Sequence, residues 1–359
     1  MFTARSPPTP KASSGESQPS RNPTPNATSD ARFARSVSHV CQQKDFLTMK
    51  AGFGSKTEFI RIAPGERERE RALRERFATF WSAAKGSPRT IYDVFISGSP
   101  IAADVTIDSV DDEAVHGFFI RPPRAPAADE AILFLHGGGY VLGSAMAYRG
   151  FVSQIVSRVN VPALVIDYPL APEASLPAAP NTARSAWQYL IRKGFDRIAI
   201  VGDSAGGGLS LVTLASLTKN TSGPTPVGGA VFSPWTDLSF TGASMTDPAV
   251  IDPLISFDYL RDCAAKYVGP YRPDHPLASP LFSDLKGLPP LLIQVGTDEK
   301  LLDDSRQYAA RASQAGVPVE LQIFEGMHHV FQLDVSHLET SRNALDSAAR
   351  FLRTVFDAR

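Results

Sequence analysis

The sequence predicts an α/β fold, a mostly parallel central sheet with helices on both faces. Two observations carry this. Six short apolar runs, AILFLH (131–136), ALVIDY (163–168), IAIVG (198–202), GAVFSPW (229–235), LLIQVG (291–296) and VELQIF (319–324), read as buried strands. Between them lie AYRGFVSQIVSRV, TARSAWQYLIRKG, GGLSLVTLASLTK and DSRQYAARASQAG, all with helical apolar period. Strand–helix alternation at this spacing calls for parallel strands joined by crossover helices.

The remaining elements follow in order. Residues 1–48 are rich in Ser, Pro, Thr and Asn. Such a segment cannot bury enough apolar surface to offset its ordering entropy, and reads as a disordered tail. Its excess of basic over acidic residues leaves an organellar transit peptide open, beside an upstream extension of a folded part that begins near Met49. Residues 66–76 read ERERERALRER, with Glu70 and Arg74 at i,i+4 spacing, which favours a solvated helix. Phe77, Phe80 and Trp81 give that helix an apolar side. IYDVFI (91–96) and HGFFIRPP (116–123) read as antiparallel-type strands. Residues 236–288 hold no clear strand and one helical segment, about 257–267; an insertion this long between core strands is usually functional, often a lid. SRNALDSAARFLRTVF closes the chain as an amphipathic helix.

Composition narrows the function. The 359 residues carry 36 basic and 37 acidic side chains, a formal net charge of −1, so nucleic acid and anionic membrane surfaces are not expected partners. No apolar run approaches the roughly 20 residues of a membrane span, so no stable membrane insertion is expected, and the first 30 residues lack a secretory signal's apolar stretch. Two cysteines, Cys41 and Cys263, are too few for a disulfide framework and fit a reducing, cytoplasmic setting. No Cys/His cluster has zinc-ligand spacing.

Gly202-Asp203-Ser204-Ala205-Gly206 follows the strand IAIVG and opens the helix LSLVTLASL. That is the context of a nucleophile elbow, in which small flanking residues let a tight turn hold the serine in a strained conformation. The competing reading, a phosphate loop, lacks a Lys after the serine. Upstream, His136-Gly137-Gly138-Gly139-Tyr140 ends the strand AILFLH. A glycine run lets backbone amides approach a developing oxyanion, and removing one such donor costs about 3–4 kcal/mol of transition-state stabilisation. Gly137 and Gly138 are the expected donors, with the Ala205 amide as third. His136 is expected to brace the loop. Near the C-terminus EGMHHVF offers His328 and His329 as base, and GTDEKLLDD (296–304) offers the acid; both follow strands, where open α/β sheets place their sites.

With HGGGY, DYPLAPE (167–173), GDSAGGG, the acid loop and GMHHVF in this order, the chain resembles the hormone-sensitive-lipase-like esterases of the α/β-hydrolases over roughly residues 57–359. The resemblance implies an α/β-hydrolase fold with a helical cap. It divides the chain into a tail (1–48), N-terminal cap helices (49–89), a core (90–237 and 287–359) and a cap insertion (238–286). The family's G-M-x-H-x-F pattern selects His329 over His328. Its D-P-L-x-D pattern aligns on Glu299-Lys300-Leu301-Leu302-Asp303, which ranks Glu299 first as acid and leaves Asp298 as the alternative. Pro169 replaces an arginine of the family's pattern, Asp203 and Glu173 match positions that brace the active-site loops but are read as simple buried hydrogen-bonding residues, and a homodimer through the last strand and helix is implied. Phe77, Phe80, Trp81, Phe257, Tyr259 and Tyr267 either line an acyl pocket or form the core of the cap.

The expected chemistry is acyl transfer: Ser204 attacks a carboxylic ester, His329 takes and returns the proton, Glu299 orients the imidazole, and no metal or organic cofactor is used. A modest cap implies short- to medium-chain small-molecule esters. Amide, carbamate or lactone hydrolysis on the same residues, and a non-catalytic receptor on the same fold, are the alternatives.

Overall fold

The computed structural model describes residues 54–124, 127–219 and 223–358. The readings made for the tail, 1–48, and for Cys41 lie outside them.

Among the described residues nine strands form one sheet in the order β1-β9-β8-β7-β6-β4-β5-β3-β2. They are β1 (Lys56–Ile60), β2 (Thr106–Asp112), β3 (Val115–Arg121), β4 (Glu130–Leu135), β5 (Ala163–Ile166), β6 (Arg197–Asp203), β7 (Gly228–Phe232), β8 (Leu291–Gly296) and β9 (Val319–Phe324). Pairing is parallel from β1 through β5, and antiparallel for β5/β3 and β3/β2. The central strands read as continuous apolar runs because both faces are covered. Ala131, Leu133 and Leu135 of β4 face one cluster with α4 (Ala178–Arg192), α5 (Ser204–Thr218) and α8 (Leu302–Gln314). Ile132 and Phe134 face the other, with α3 (Ala145–Val159) and α9 (Glu339–Asp357). Strand alternation thus sends successive side chains into two separate cores.

Three sequence expectations are corrected. IYDVFI is not a strand but part of α2 (Pro88–Ile96). Ser87 caps it, its Oγ accepting from the Thr90 N–H, and Pro88 stands at the first position, where its fixed φ suits a helix. The alternating pattern within 91–96 is too short to outweigh those signals. The antiparallel partner of β3 is instead β2, whose half-exposed, acidic TIDSVDD carries little apolar signal. The segment 49–89, expected as cap helices, carries α1 (Pro64–Ala83) but also β1, which pairs with β9 over five residues from Lys56↔Glu320 to Ile60↔Phe324. The last strand, through which the resemblance implies pairing of copies, therefore has a neighbour on both sides.

α1 is not a purely solvated charge run. Glu66 and Glu70 are buried, with Leu73 and Phe77 on the same face. Glu66 accepts from the N–H groups of Glu339 and Thr340, an acidic cap on the N-terminus of α9. The insertion 238–286 contains a four-residue turn α6 (Ala243–Thr246) and the helix α7 (Phe257–Val268). Tyr267 of α7 stacks flat on Tyr140 at 3.7 Å, so it belongs to the packed core. Phe77 likewise packs edge-on against Phe95 and His328. Phe80 and Trp81 pack on each other and on Phe95. Among the described residues no helix is long and apolar enough to cross a membrane.

Candidate active site

Every residue of the site stands at the C-terminal end of a parallel strand: the glycine run after β4, Ser204 after β6, Ser233 after β7, Glu299 after β8 and His329 after β9. Ser204 has φ of +51°, a region L-residues with a Cβ rarely enter. The sharp bend is possible because the neighbours are small. A Cβ on Gly202 would stand 2.5 Å from the Gly206 carbonyl oxygen, and one on Gly206 would stand 2.1 Å from the Leu135 oxygen. The turn presents the Ser204 hydroxyl to His329, whose Nε2 accepts from Oγ at 2.9 Å. The imidazole Nδ1–H then donates to Glu299 Oε2 at 3.0 Å.

Glu299 is fully buried, and its second oxygen is also engaged. Oε1 accepts from the Gly296 N–H at 2.6 Å and from Ser233 Oγ at 2.9 Å. Three donors satisfy a carboxylate that burial alone would disfavour. Ser233, at φ +46°, also accepts from the Val330 N–H at 3.1 Å. Val330 itself sits at φ +51°, an unusual conformation for a β-branched residue, directly after His329. Burial works against a protonated His329. The hydrogen bond and charge of Glu299, joined by the charges of Asp252 and Asp203, outweigh it and hold the imidazole above its ordinary pKa. Asp252 tethers the insertion 238–286 to the acid loop, accepting from the Lys300 N–H at 3.1 Å and from the N–H groups of Leu254 and Ile255.

Asp298 does not approach the imidazole; it binds Arg74 of α1 at 2.9 Å. His328 points away from the serine, its ring nitrogens 3.0 Å from Glu70 and 3.0 Å from Asp334. Burial opposes its charge, yet the two carboxylates push it up to about 9, so it is an imidazolium at neutral pH.

The glycine run requires one correction. The Gly137 N–H donates to Asp203 Oδ1 at 3.0 Å. Its single hydrogen is committed to a buried carboxyl, which Tyr148 also donates to at 2.9 Å. Burial raises that carboxyl to about pKa 7, against the hydrogen bond from Tyr148 and the charge of His329. Gly138 and Gly139, at φ +113° and +62°, donate their N–H groups to no partner among the described residues. Ala205 lies in the first turn of α5, where no intrahelical acceptor exists and the positive end of the helix dipole points outward. The loop is held by Val141 and Leu142 N–H donating to the Gly138 oxygen, and by Tyr168 Oη donating to the His136 oxygen at 2.7 Å. His136 is buried; its Nδ1–H donates to the Gly137 oxygen at 2.7 Å while the ring stacks on Tyr168. Glu173, expected to be buried, is exposed and held by Arg89. Arg89 also donates to the Val141 and Ala171 oxygens, reaching the region of Pro169 from outside the motif.

α7 covers the loop. A Cβ on Gly139 would meet Cys263 Sγ at 2.9 Å and Tyr259 Oη at 3.3 Å. Burial pushes the Cys263 thiol up to about 11, so it is a thiol and not a thiolate. Among the described residues no three His, Cys, Asp or Glu side chains are grouped to hold a metal ion.

Ser233, Gly139 and Asp252 escape sequence reasoning. Ser233 carries a weak signal, a polar residue ending an apolar strand. Gly139 is one step along an unbroken glycine run, and pattern alone cannot fix which amides are free. Asp252 lies in an insertion without periodicity.

A family model described as an α/β-hydrolase fold (Abhydrolase_3) matches residues 132–333. An acetyl-hydrolase of Streptomyces hygroscopicus is 38% identical over 238 residues, covering 66% of this chain and 79% of that one. An esterase of Acinetobacter venetianus is 36% identical over 228 residues, covering 63% and 75%. The crystal structure of an esterase from the bacterial hormone-sensitive lipase family superposes with a TM-score of 0.75 at 36% identity, covering 82% of this chain and 99% of that one.

Proposed function

The chain belongs to the hormone-sensitive-lipase-like esterases of the α/β-hydrolase fold, and from that premise we propose that it cleaves carboxylic esters through an acyl-enzyme on Ser204. It is a carboxylic ester hydrolase. The observation that carries the mechanism is the continuous relay from the Ser204 hydroxyl through His329 to Glu299, at 2.9 and 3.0 Å.

In the first half-reaction Ser204 Oγ bonds to the ester carbonyl carbon while its proton passes to His329 Nε2. Glu299 stabilises the charged imidazole. The carbonyl oxygen, now an oxyanion, accepts from the amides of Gly138, Gly139 and Ala205, whose hydrogens have no competing acceptor. Collapse breaks the bond to the alcohol oxygen, which leaves with the proton from Nε2. Water then gives a proton to Nε2 and attacks the acyl carbon, and Ser204 departs with that proton restored.

The preferred substrates are small esters with short- to medium-chain acyl groups. Support comes from α7, which lays Tyr259 and Cys263 against Gly139, and from the site itself, where Ser204 and His329 are both buried. A homodimer of this chain uses surfaces other than the edge of β9, which β1 occupies. The sparse cysteines support a cytoplasmic location.

The test is a panel of p-nitrophenyl esters from acetate to palmitate, with a matched anilide. Turnover falling beyond medium chains and absent on the anilide is expected; a maximum at palmitate overturns the chain-length assignment. An organophosphate should label the wild type and not Ser204→Ala, and failure to label would overturn the acyl-enzyme.

A further inference from the structure

We propose that Arg74, together with Glu70, is a positioning residue for this reaction: from α1 it holds the acid loop, the base loop and the start of the cap insertion in one register. The proposal rests on the reading of Ser204, His329 and Glu299 as the reacting set.

One guanidinium reaches four acceptors. Arg74 Nε donates to Glu70 Oε1 at 2.6 Å, Nη1 to the Ile251 oxygen at 3.1 Å, and Nη2 to Asp298 Oδ2 at 2.9 Å and the Gly326 oxygen at 3.3 Å. The same Glu70 oxygen accepts from His328 Nδ1 at 3.0 Å. The chain positions of these partners matter. Asp298 immediately precedes Glu299, His328 immediately precedes His329, and Ile251 immediately precedes Asp252, whose charge acts on His329. The pair thus grips the residues directly before Glu299, His329 and Asp252, and touches none of those three itself.

The two loops also bind each other, through Asp298 N–H to the Met327 oxygen at 3.0 Å and Gly326 N–H to Thr297 Oγ1 at 2.7 Å. Those bonds fix the loops relative to one another. Arg74 adds an anchor from a separate element, and α1 is itself fixed by Glu66 at the N-terminus of α9 and by Arg67 on Glu325. Glu70 and His328 are buried and the Arg74 side chain keeps only 22% of its exposure, so solvent screens these three weakly, while Asp298 on the outer side is more open. Its planar fork serves several acceptors at fixed angles, which an ammonium cannot reproduce.

Arg74→Ala, Arg74→Lys and Asp298→Ala should be compared with the control Arg76→Ala, an exposed arginine on the same helix. The measurements are kcat and KM on p-nitrophenyl butyrate, the rate constant for inactivation by diethyl p-nitrophenyl phosphate, and the folded fraction by circular dichroism. Misplacing the reacting groups by a fraction of an ångström should lower kcat and the inactivation rate constant together, by about tenfold in Arg74→Ala, with KM changed less than about twofold. Arg74→Lys should recover part of the loss, and Arg74→Ala/Asp298→Ala should be no worse than Arg74→Ala alone. Wild-type kcat in a folded Arg74→Ala overturns the proposal. So does a loss that vanishes once corrected for folded fraction, or a fall in kcat with unchanged inactivation. If Arg74→Ala does not fold, wild-type values for both Arg74→Lys and Asp298→Ala overturn it equally. A wild-type enzyme inert to the organophosphate would overturn the assignment of Ser204 itself, a result distinct from any of these.

Discussion

Ser233 Oγ donates to Glu299 Oε1 at 2.9 Å and accepts from the Val330 N–H at 3.1 Å, so one hydroxyl joins the acid to the peptide that follows the base. Ser233→Ala removes both bonds and leaves the Val330 N–H buried without an acceptor. The expected result is a kcat lower by about tenfold with KM nearly unchanged, from loss of a buried hydrogen bond worth roughly 1–3 kcal/mol. Steady-state kinetics on a p-nitrophenyl ester checks it; a wild-type kcat would deny Ser233 any role in aligning the site.

The two adjacent acids should separate sharply. Glu299→Gln offers the imidazole a neutral partner that favours the wrong tautomer and cannot stabilise its charge, and kcat should fall on the order of 10³–10⁴-fold. Asp298→Asn, whose side chain faces Arg74, should lose no more than about tenfold. Equal losses in the two variants would contradict the geometry.

The acid limb of kcat/KM reports the free-enzyme His329, which must be neutral to accept the serine proton. Its pKa stands above the ordinary value, chiefly because Glu299 outweighs burial, with Asp252 and Asp203 adding to it. Activity should therefore be half lost on the acid side at a pH above about 6.5, the unperturbed histidine value. Asp252→Asn keeps one acceptor oxygen and removes the charge, and should move that limb to lower pH. A limb that stays in place would show that the Asp252 carboxylate does not act on the imidazole.

His328 makes a separate prediction about stability. In the folded chain it is held up to about 9 by Asp334 and Glu70 against the effect of burial, while in the unfolded chain it titrates near the ordinary value of about 6.5. A raised pKa stabilises the fold fully below the unfolded value, and that contribution is lost as pH rises through the folded one. Urea midpoints should thus fall between about pH 6.5 and pH 9 in the wild type, and the fall should be smaller in His328→Gln. Identical pH dependences for the two proteins would remove the charged pairing. Glu70, lowered by its bonds to His328 and Arg74 against burial, keeps its charge throughout this window.

Much of the site is legible in the sequence because its residues sit at strand ends marked by glycine or by abrupt loss of apolar character. Ser204, His329 and Glu299 are each found this way, the last two with the help of motif register. What the sequence hides is which of two adjacent candidates a loop turns inward. Asp298 and Glu299 are neighbours with different partners, and only the presence of Arg74 on a distant helix shows where the first one goes. Gly137 illustrates the same limit, since its amide is spent on Asp203, 66 residues away. The N-terminal region is the least legible. IYDVFI satisfies a strand pattern until its proline and serine cap are weighed, and β1 is a polar five-residue strand whose identity depends on the neighbour it finds.

That neighbour is β9, and the arrangement has a structural cost for anyone shortening the chain. Trimming through Ile60 would strip a row of main-chain donors and acceptors bare along five residues of an apolar strand, an invitation to intermolecular zippering. In the intact chain the outermost ribbon is short and bears Lys56 and Glu58, charged side chains that make poor templates for a further strand. The leading segment thus works as a hem on the sheet.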